Sequence, residues 1–123
     1  MAVPQTVVVA DDSRLARKQL IKVLPEDWQT VTVEASNGQE ALEAYFVYPE
    51  VVLFLDLTMP DMDGFEVLQA LHDKGEYHRT IVVSADIQED AQNRVLALGA
   101  LDFLAKPVDH STLAEALQKA GMQ

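Results

Sequence analysis

Five short apolar runs alternate with five amphipathic segments along the chain, and this alternation limits the folds open to it. The runs are TVVVA (6–10), VTVEA (31–35), VVLFL (51–55), TIVVS (80–84) and LDFLA (101–105). The first, third and fourth are almost continuously apolar, which is typical of parallel strands buried on both faces. Strands and helices that alternate with short connections predict a doubly wound α/β sheet.

The segments between the runs repeat apolar residues at helical spacing, which predicts five helices with one buried face each. The first pattern stops before Pro25 and the second before Pro49, as expected at helix ends. The predicted core positions are Ala16, Leu20, Val23 and Leu24, then Ala41, Leu42, Tyr45 and Phe46, then Phe65, Leu68 and Leu71, then Ile87, Ala91, Val95 and Leu98, and finally Leu113, Ala116, Leu117 and Ala120. We interpret these residues as core rather than as ligand sites.

Length and composition predict one domain over residues 1–123, with 49% hydrophobic and 24% charged residues. The chain has no Cys, which excludes disulfides and thiolate metal sites and fits a reducing, cytoplasmic location. The N-terminal MAVPQ lacks the features of a signal peptide, and no apolar run approaches the roughly 20 residues of a membrane span. The net charge of −11 opposes direct binding to a nucleic-acid backbone.

Polar side chains follow four of the five predicted strands at the point where each strand ends. They are Asp11 and Asp12 after the first strand, Asp56 after the third, Ser84 at the end of the fourth, and Lys106 after the fifth. Functional groups of an open parallel sheet gather beyond the carboxyl ends of its strands, so we expect these side chains to converge. The second strand is followed only by SNG, as expected of an edge strand.

Each of these residues has an ordinary structural interpretation when it is taken alone. Asp12 or Ser13 can cap the first helix, and Asp56 can begin an Asx-turn. The acids of DMDG (61–64) fit a turn and the first turn of a helix. The serine and the lysine at the later strand ends can be a backbone-bonded hydroxyl and a solvated loop residue. These separate interpretations do not explain why all of the residues fall at one edge of the predicted sheet.

Three carboxylates held a few ångströms apart repel one another, which raises their pKa values and weakens the fold. A divalent cation relieves that repulsion, and oxygen ligands without His or Cys favour Mg²⁺. Lys106 adds one further positive charge. Such a site can accept a phosphoryl group, with one carboxylate as the nucleophile that forms an acyl phosphate.

Over essentially its whole length the chain resembles the receiver domain of a two-component response regulator, as in chemotaxis regulators that are a receiver alone. The resemblance rests on DDS (11–13), DLTMPDMDG (56–64), VSA (83–85) and KP (106–107). It implies the flavodoxin-like strand order 2-1-3-4-5 with five helices, and self-phosphorylation and autodephosphorylation as the only chemistry. The implied partners are a sensor histidine kinase or phosphotransfer protein and a downstream protein target, fused or separate. A fainter resemblance, over 82–109, is to receivers fused to a CheC-like phosphatase domain.

The resemblance also implies a role for each motif residue. The implied assignments are Asp56 as phosphoacceptor, Ser84 and Lys106 as phosphoryl ligands, Asp11, Asp12, Asp56 and the Thr58 backbone carbonyl as Mg²⁺ or Mn²⁺ ligands, Ser84 and Phe103 as switch residues, and a cis Lys106–Pro107 bond. Phe103 has no hydroxyl, so a switch there works by burial rather than by a hydrogen bond. Thr58 and Asp86 occupy positions expected to tune hydrolysis of the acyl phosphate.

Three other functions share parts of this pattern. A haloacid-dehalogenase-type phosphatase needs a second Asp two residues after its nucleophile, where this chain has Thr58. A flavodoxin-like nucleotide-binding domain needs hydroxyls and amides after its first strand, where DDS offers repulsion. A pseudo-receiver that is never phosphorylated keeps the same fold, and a metal titration separates it from a working one. The scattered His72, His78 and His110 are interpreted as surface residues rather than ligands.

Overall fold

The computed structural model describes residues 3–75 and 78–122, within which five parallel strands form one sheet in the order β2-β1-β3-β4-β5. The elements are β1 (Gln5–Ala10), α1 (Arg14–Val23), β2 (Thr30–Ala35), α2 (Gly38–Val47), β3 (Val52–Leu55), α3 (Gly64–Asp73), β4 (Arg79–Ser84), α4 (Glu89–Ala97), β5 (Asp102–Ala105) and α5 (His110–Lys119). The predicted fold and strand order are confirmed, and each predicted strand lies within one residue of its observed bounds. In the described ranges, every helix is too short or too polar to cross a bilayer.

The sheet buries both faces because successive strand residues point to opposite sides. Val7 and Val9 of β1 belong to the core that includes helices α1 and α5, whereas Val8 and Ala10 belong to the core beneath α2, α3 and α4. All four residues of β3 are buried, as the continuous apolar run predicts. β2 is an edge strand with exposed residues. The strand order reverses between β1 and β3, and the crevice at the carboxyl ends of an open parallel sheet lies at such a point.

Two of the predicted core positions lie on the surface. Ile87 is 62% exposed because α4 begins only at Glu89, which leaves Ile87 in the preceding loop. Phe46 is 50% exposed because its neighbour Tyr45 takes the inward position on α2. The Lys74 ammonium lies 5.2 Å from the centre of the Phe46 ring, so this aromatic residue packs against α3's C-terminal end instead of the core.

The prediction that His78 is a surface residue was wrong, since its exposed fraction is only 4%. The ring lies under the turn at Gly99 and forms a hydrogen bond through each of its nitrogens. Because both nitrogens have hydrogen-bond partners, burial of the imidazole costs little free energy. His72 and His110 are exposed, as expected.

Gly64 at the start of α3 lies against the backbone of the strand end that it follows. A Cβ there would lie 2.4 Å from the Asp56 carbonyl oxygen and 2.8 Å from Leu57 Cα. Helix propensity alone favours alanine by about 1 kcal/mol, but backbone atoms cannot rotate away from the added methyl group. We therefore expect Gly64→Ala to lower the free energy of unfolding in urea by about 1–3 kcal/mol.

Gly75→Ala is the matched control for this prediction. Gly75 has a φ of +70° and open space around its Cα, so alanine there meets only the unfavourable backbone conformation, at roughly 1–2 kcal/mol. A Gly64→Ala variant as stable as the wild type would show that the β3–α3 connection shifts freely.

Candidate functional site

Asp11 and Asp56 lie side by side because the two strands that precede them are neighbours in the sheet. The Asp56 N–H donates to the Ala10 carbonyl at 2.9 Å, and the Asp11 N–H donates to the Ala35 carbonyl at 3.0 Å. Both residues therefore extend the sheet's hydrogen bonding by one position. Their exposed fractions are only 5% and 7%, so two carboxylates are buried at one strand edge.

The cap of α1 leaves Asp12 available to the same site. Ser13 is the N-cap residue, and its Oγ accepts the Ala16 N–H at 3.2 Å, so the helix does not use the Asp12 carboxylate. The Ser13 N–H donates to Asp11 Oδ1 at 2.9 Å, which orients that side chain. Asp11, Asp12 and Asp56 each place one carboxylate oxygen within 4.8 Å of the others. This oxygen-only donor set fits Mg²⁺ or Mn²⁺.

Lys106 brings a positive charge from the far end of the chain to these carboxylates. Its Nζ donates to Asp11 Oδ2 at 2.6 Å and lies 3.5 Å from Asp56 Oδ1. The Lys106 N–H donates to the Ser84 carbonyl at 3.0 Å, and the peptide bond to Pro107 is cis. The ammonium is therefore positioned between the two buried carboxylates.

Burial and neighbouring charges have opposing effects on the pKa values of Asp56 and Lys106. Burial raises the pKa of the Asp56 carboxyl, and the Asp11 carboxylate raises it further, while the Lys106 ammonium opposes both effects. Burial on its own lowers the pKa of Lys106, but its hydrogen bond to Asp11 and the two nearby carboxylates outweigh that effect, so the pKa is raised. One ammonium does not balance three carboxylates, and the surplus negative charge favours a divalent cation.

Ser84 and Phe103 lie on the neighbouring strands β4 and β5. Ser84 is buried, and its Oγ accepts the Asp86 N–H at 3.0 Å, which leaves the hydroxyl proton available to another acceptor. Phe103 is half-buried against the core beneath α2, α3 and α4. The Thr58 side chain is exposed in the loop that follows β3.

The loop between β3 and α3 is held in shape by backbone hydrogen bonds. The Gly38 N–H donates to the Met62 carbonyl at 3.1 Å, and the Gly64 N–H donates to the Leu57 carbonyl at 3.0 Å. Asp61 has a φ of +67° inside a tight turn, and Asp63 forms a capping box with Glu66. These two acids have structural roles, in agreement with the turn and helix-start interpretation.

Arg17 is a contributor that the sequence pattern did not reveal. Its Nη1 donates to the Asp11 backbone carbonyl at 2.7 Å, and its Nε donates to Glu34 Oε1 at 2.9 Å. The side chain thus ties α1 to the ends of β1 and β2. A lone arginine one turn into a helix carries no sequence signal for this role, because most such residues are solvated.

Comparison with known proteins identifies relatives of this chain. Residues 7–118 match the family model for the response regulator receiver domain. The chain is 32% identical to the chemotaxis protein CheY of Listeria monocytogenes, over 93% of this chain and 96% of that protein. It is 36% identical to an uncharacterized response regulatory protein of Vibrio cholerae, over 96% of this chain but only 45% of that longer protein.

A solved structure shows the same fold. The crystal structure of the CheX-CheY-BeF3-Mg complex from Borrelia burgdorferi contains a chain with a TM-score of 0.88 and 29% identity. The match covers 98% of this chain and 92% of that one.

Proposed function

Because the chain belongs to the response regulator receiver domains of two-component systems, we propose that Asp56 accepts a phosphoryl group. The donor is a histidine kinase, a phosphotransfer protein or a small phosphodonor. One observation carries this proposal: a buried carboxylate at a strand end shares its pocket with two further carboxylates and one ammonium. We also assign residues 1–123 to a single receiver domain.

In the proposed reaction, one Asp56 carboxylate oxygen attacks the phosphorus atom of the donor. A phosphorus–oxygen bond forms to Asp56, the bond from phosphorus to the donor's nitrogen or oxygen breaks, and the leaving group takes the electron pair. Lys106 Nζ, 3.5 Å from Asp56 Oδ1, is near enough to turn towards a phosphoryl oxygen. Ser84 keeps its hydroxyl proton for a second hydrogen bond to that group, since its oxygen lone pair already accepts the Asp86 N–H.

The residues proposed to hold Mg²⁺ or Mn²⁺ are Asp11, Asp12, Asp56 and the Thr58 backbone carbonyl. When bound, the cation neutralises the carboxylates and stabilises negative charge on the transferring phosphoryl oxygens. The Ser13 N–H already orients the Asp11 carboxylate towards the pocket. The three carboxylates outnumber the single ammonium. Their excess negative charge disfavours the approach of an anionic donor until a cation neutralises the carboxylates, which supports the assignment.

We further propose that phosphorylation shifts a two-state equilibrium through Ser84 and Phe103. Ser84 moves onto the phosphoryl group, and the half-buried Phe103 turns inward beside it. Two hydrogen bonds to a charged group, from Ser84 and Lys106, supply roughly 3–6 kcal/mol if they form only in the active state. Reversing a 1:99 equilibrium takes about 5.5 kcal/mol, so the two bonds are of the required size.

The proposed output is a changed protein-binding surface, with a downstream target that is either separate or fused. The proposed location is the cytoplasm, where a kinase or phosphotransfer protein supplies the phosphoryl group. The chain's own chemistry is then limited to its Mg²⁺-dependent phosphorylation and its autodephosphorylation, so it turns over no other substrate.

Intact mass spectrometry with phosphoramidate, in the presence and absence of Mg²⁺, tests the proposal. We expect a Mg²⁺-dependent gain of one phosphoryl group, followed by conversion of Asp56 to homoserine when borohydride reduces the acyl phosphate. Peptide mapping then identifies the modified residue. A protein that binds Mg²⁺ in a titration but gains no phosphoryl group would instead be a pseudo-receiver, in which only the folded surface carries the function.

A further inference from the structure

His78 is a buried histidine that lies just before β4, at the end of that strand opposite the carboxylate site. Its Nδ1 is 2.9 Å from Thr80 Oγ1, and its Nε2 is 3.0 Å from the Leu98 carbonyl oxygen. A carbonyl can only accept, so Nε2 carries the proton and Nδ1 accepts the Thr80 hydroxyl. The two partners therefore specify a neutral imidazole with one defined tautomer.

These bonds connect β4 to the C-terminal end of α4. Leu98 is the C-cap residue of α4, and the Leu101 N–H donates to the Thr80 carbonyl at 2.7 Å. Gly99, with a φ of +97°, lies directly on the ring, where a Cβ would be 2.8 Å from His78 Nε2. The imidazole thus fills the space between the start of β4 and the α4–β5 turn, and it fixes where α4 ends.

No carboxylate in the described parts of the chain is placed to compensate a charge on this ring. Burial lowers the pKa of His78, the hydrogen bond to Leu98 partly opposes this, and the nearby His72 lowers the pKa further. Charged side chains of the neighbouring segments contact other groups: Asp73 contacts Gln69, Lys74 the Phe46 ring, Arg79 the Glu50 carbonyl and Arg94 the Phe65 ring. A second proton on His78 would therefore place a positive charge without a compensating carboxylate in a buried position.

We propose that His78 is a proton-sensitive anchor for the C-terminal end of α4. The neutral ring holds the Leu98 carbonyl against β4. Protonation at Nδ1 directs a second N–H at the Thr80 oxygen and displaces the hydroxyl proton that this nitrogen now accepts. The buried cation is relieved when the ring leaves the pocket, and this releases the end of α4 and the turn into β5. The device acts without a phosphoryl group, so it is independent of the proposed function.

The size of the pH effect on ring release follows from the difference between the pKa of the released ring and that of the buried ring. A released ring has an ordinary pKa near 6.5, whereas the pKa of the buried ring is lower. As the pH falls below about 6.5, the population with a released ring therefore rises by up to about tenfold per pH unit, until the pH reaches the pKa of the buried ring.

Amide hydrogen exchange, measured by NMR without Mg²⁺ or phosphodonor and expressed as protection factors, tests this anchor. Between about pH 6.5 and about pH 5.5 we expect the protection of Ala100 and Leu101 to fall by up to about fivefold. The amides of Val8 and Val33, in β1 and β2, serve as internal references and should keep their protection. Unchanged protection at Leu101 over this range would overturn the proposal.

His78→Gln is the decisive variant, because its amide can donate to the Leu98 carbonyl but cannot titrate. Its Leu101 protection should not change with pH, whereas His110→Gln should keep the wild-type response. The same fall in His78→Gln as in wild type would also overturn the anchor. If that variant does not fold, a wild-type titration decides: the Leu101 amide shift must follow the His78 ring with one midpoint, and separate midpoints refute the coupling.

Discussion

Asp56→Asn is expected to take up no phosphoryl group from phosphoramidate at any Mg²⁺ concentration. The amide keeps the shape of the side chain, but it has no anionic oxygen to attack phosphorus. Asp61→Asn is the matched control, because Asp61 lies in the same loop, is exposed and has a positive φ that asparagine tolerates. Uptake by Asp56→Asn at the wild-type rate, measured by intact mass, would move the acceptor to another residue.

The same substitution should stabilise the fold when no divalent cation is bound. Burial and the Asp11 carboxylate raise the pKa of Asp56 above its ordinary value of 3.8, so the folded state holds its proton more tightly than the unfolded state does. Stability therefore falls as the pH rises from about 3.8 through the folded-state pKa, and asparagine escapes this loss. Urea denaturation in EDTA should show Asp56→Asn to be the more stable protein at neutral pH, with the difference vanishing in acid. A less stable variant at neutral pH would contradict the sign.

Lys106→Met is expected to slow phosphoryl uptake by about 100-fold or more while leaving Asp56 reactive. Methionine keeps the unbranched shape and most of the length of the side chain, and it removes the ammonium that lies 3.5 Å from Asp56 Oδ1. Loss of one preformed electrostatic contact to a transition state lowers rates by about 10²- to 10³-fold. The measurement is the rate of mass gain at saturating Mg²⁺, with Lys22→Met, on the exposed side of α1, as the control.

Lys106→Met should at the same time bind Mg²⁺ more tightly than the wild type. The Lys106 ammonium donates to Asp11 Oδ2 at 2.6 Å and so competes with a cation for that carboxylate. Calorimetric titration measures the affinity directly. Equal losses of Mg²⁺ affinity and uptake would indicate that Lys106 organises the pocket instead of acting on the phosphoryl group.

Much of the fold was predictable because strand burial and helix spacing leave a strong pattern in the sequence. The continuous run before Asp56 corresponds to a strand with every residue buried, and SNG follows the edge strand β2. The convergence of Asp11, Asp56 and Lys106 was also predictable, since all three follow strands that end at one edge of a parallel sheet.

The remainder depends on contacts that have no period in the sequence. Burial of His78 results from a turn twenty residues further along the chain, which supplies the Leu98 carbonyl and the open face of Gly99. Ile87 fits the apolar repeat of α4, but it precedes Glu89, where the helix begins. The contact between Arg17 and the Asp11 carbonyl likewise joins two groups whose proximity only the packed helix determines.

The hydrogen bond between Asp11 and Lys106 spans 95 residues, so the pocket is completed only late in the synthesis of the chain. Synthesis proceeds from the N-terminus at about 5–20 residues per second, so the three acids emerge several seconds before the lysine. Until β5 is released from the ribosome and pairs with β4, the acids lack the ammonium. Under the proposed reaction, we therefore expect a nascent or truncated chain to be a poor phosphoryl acceptor until the last strand has been synthesised.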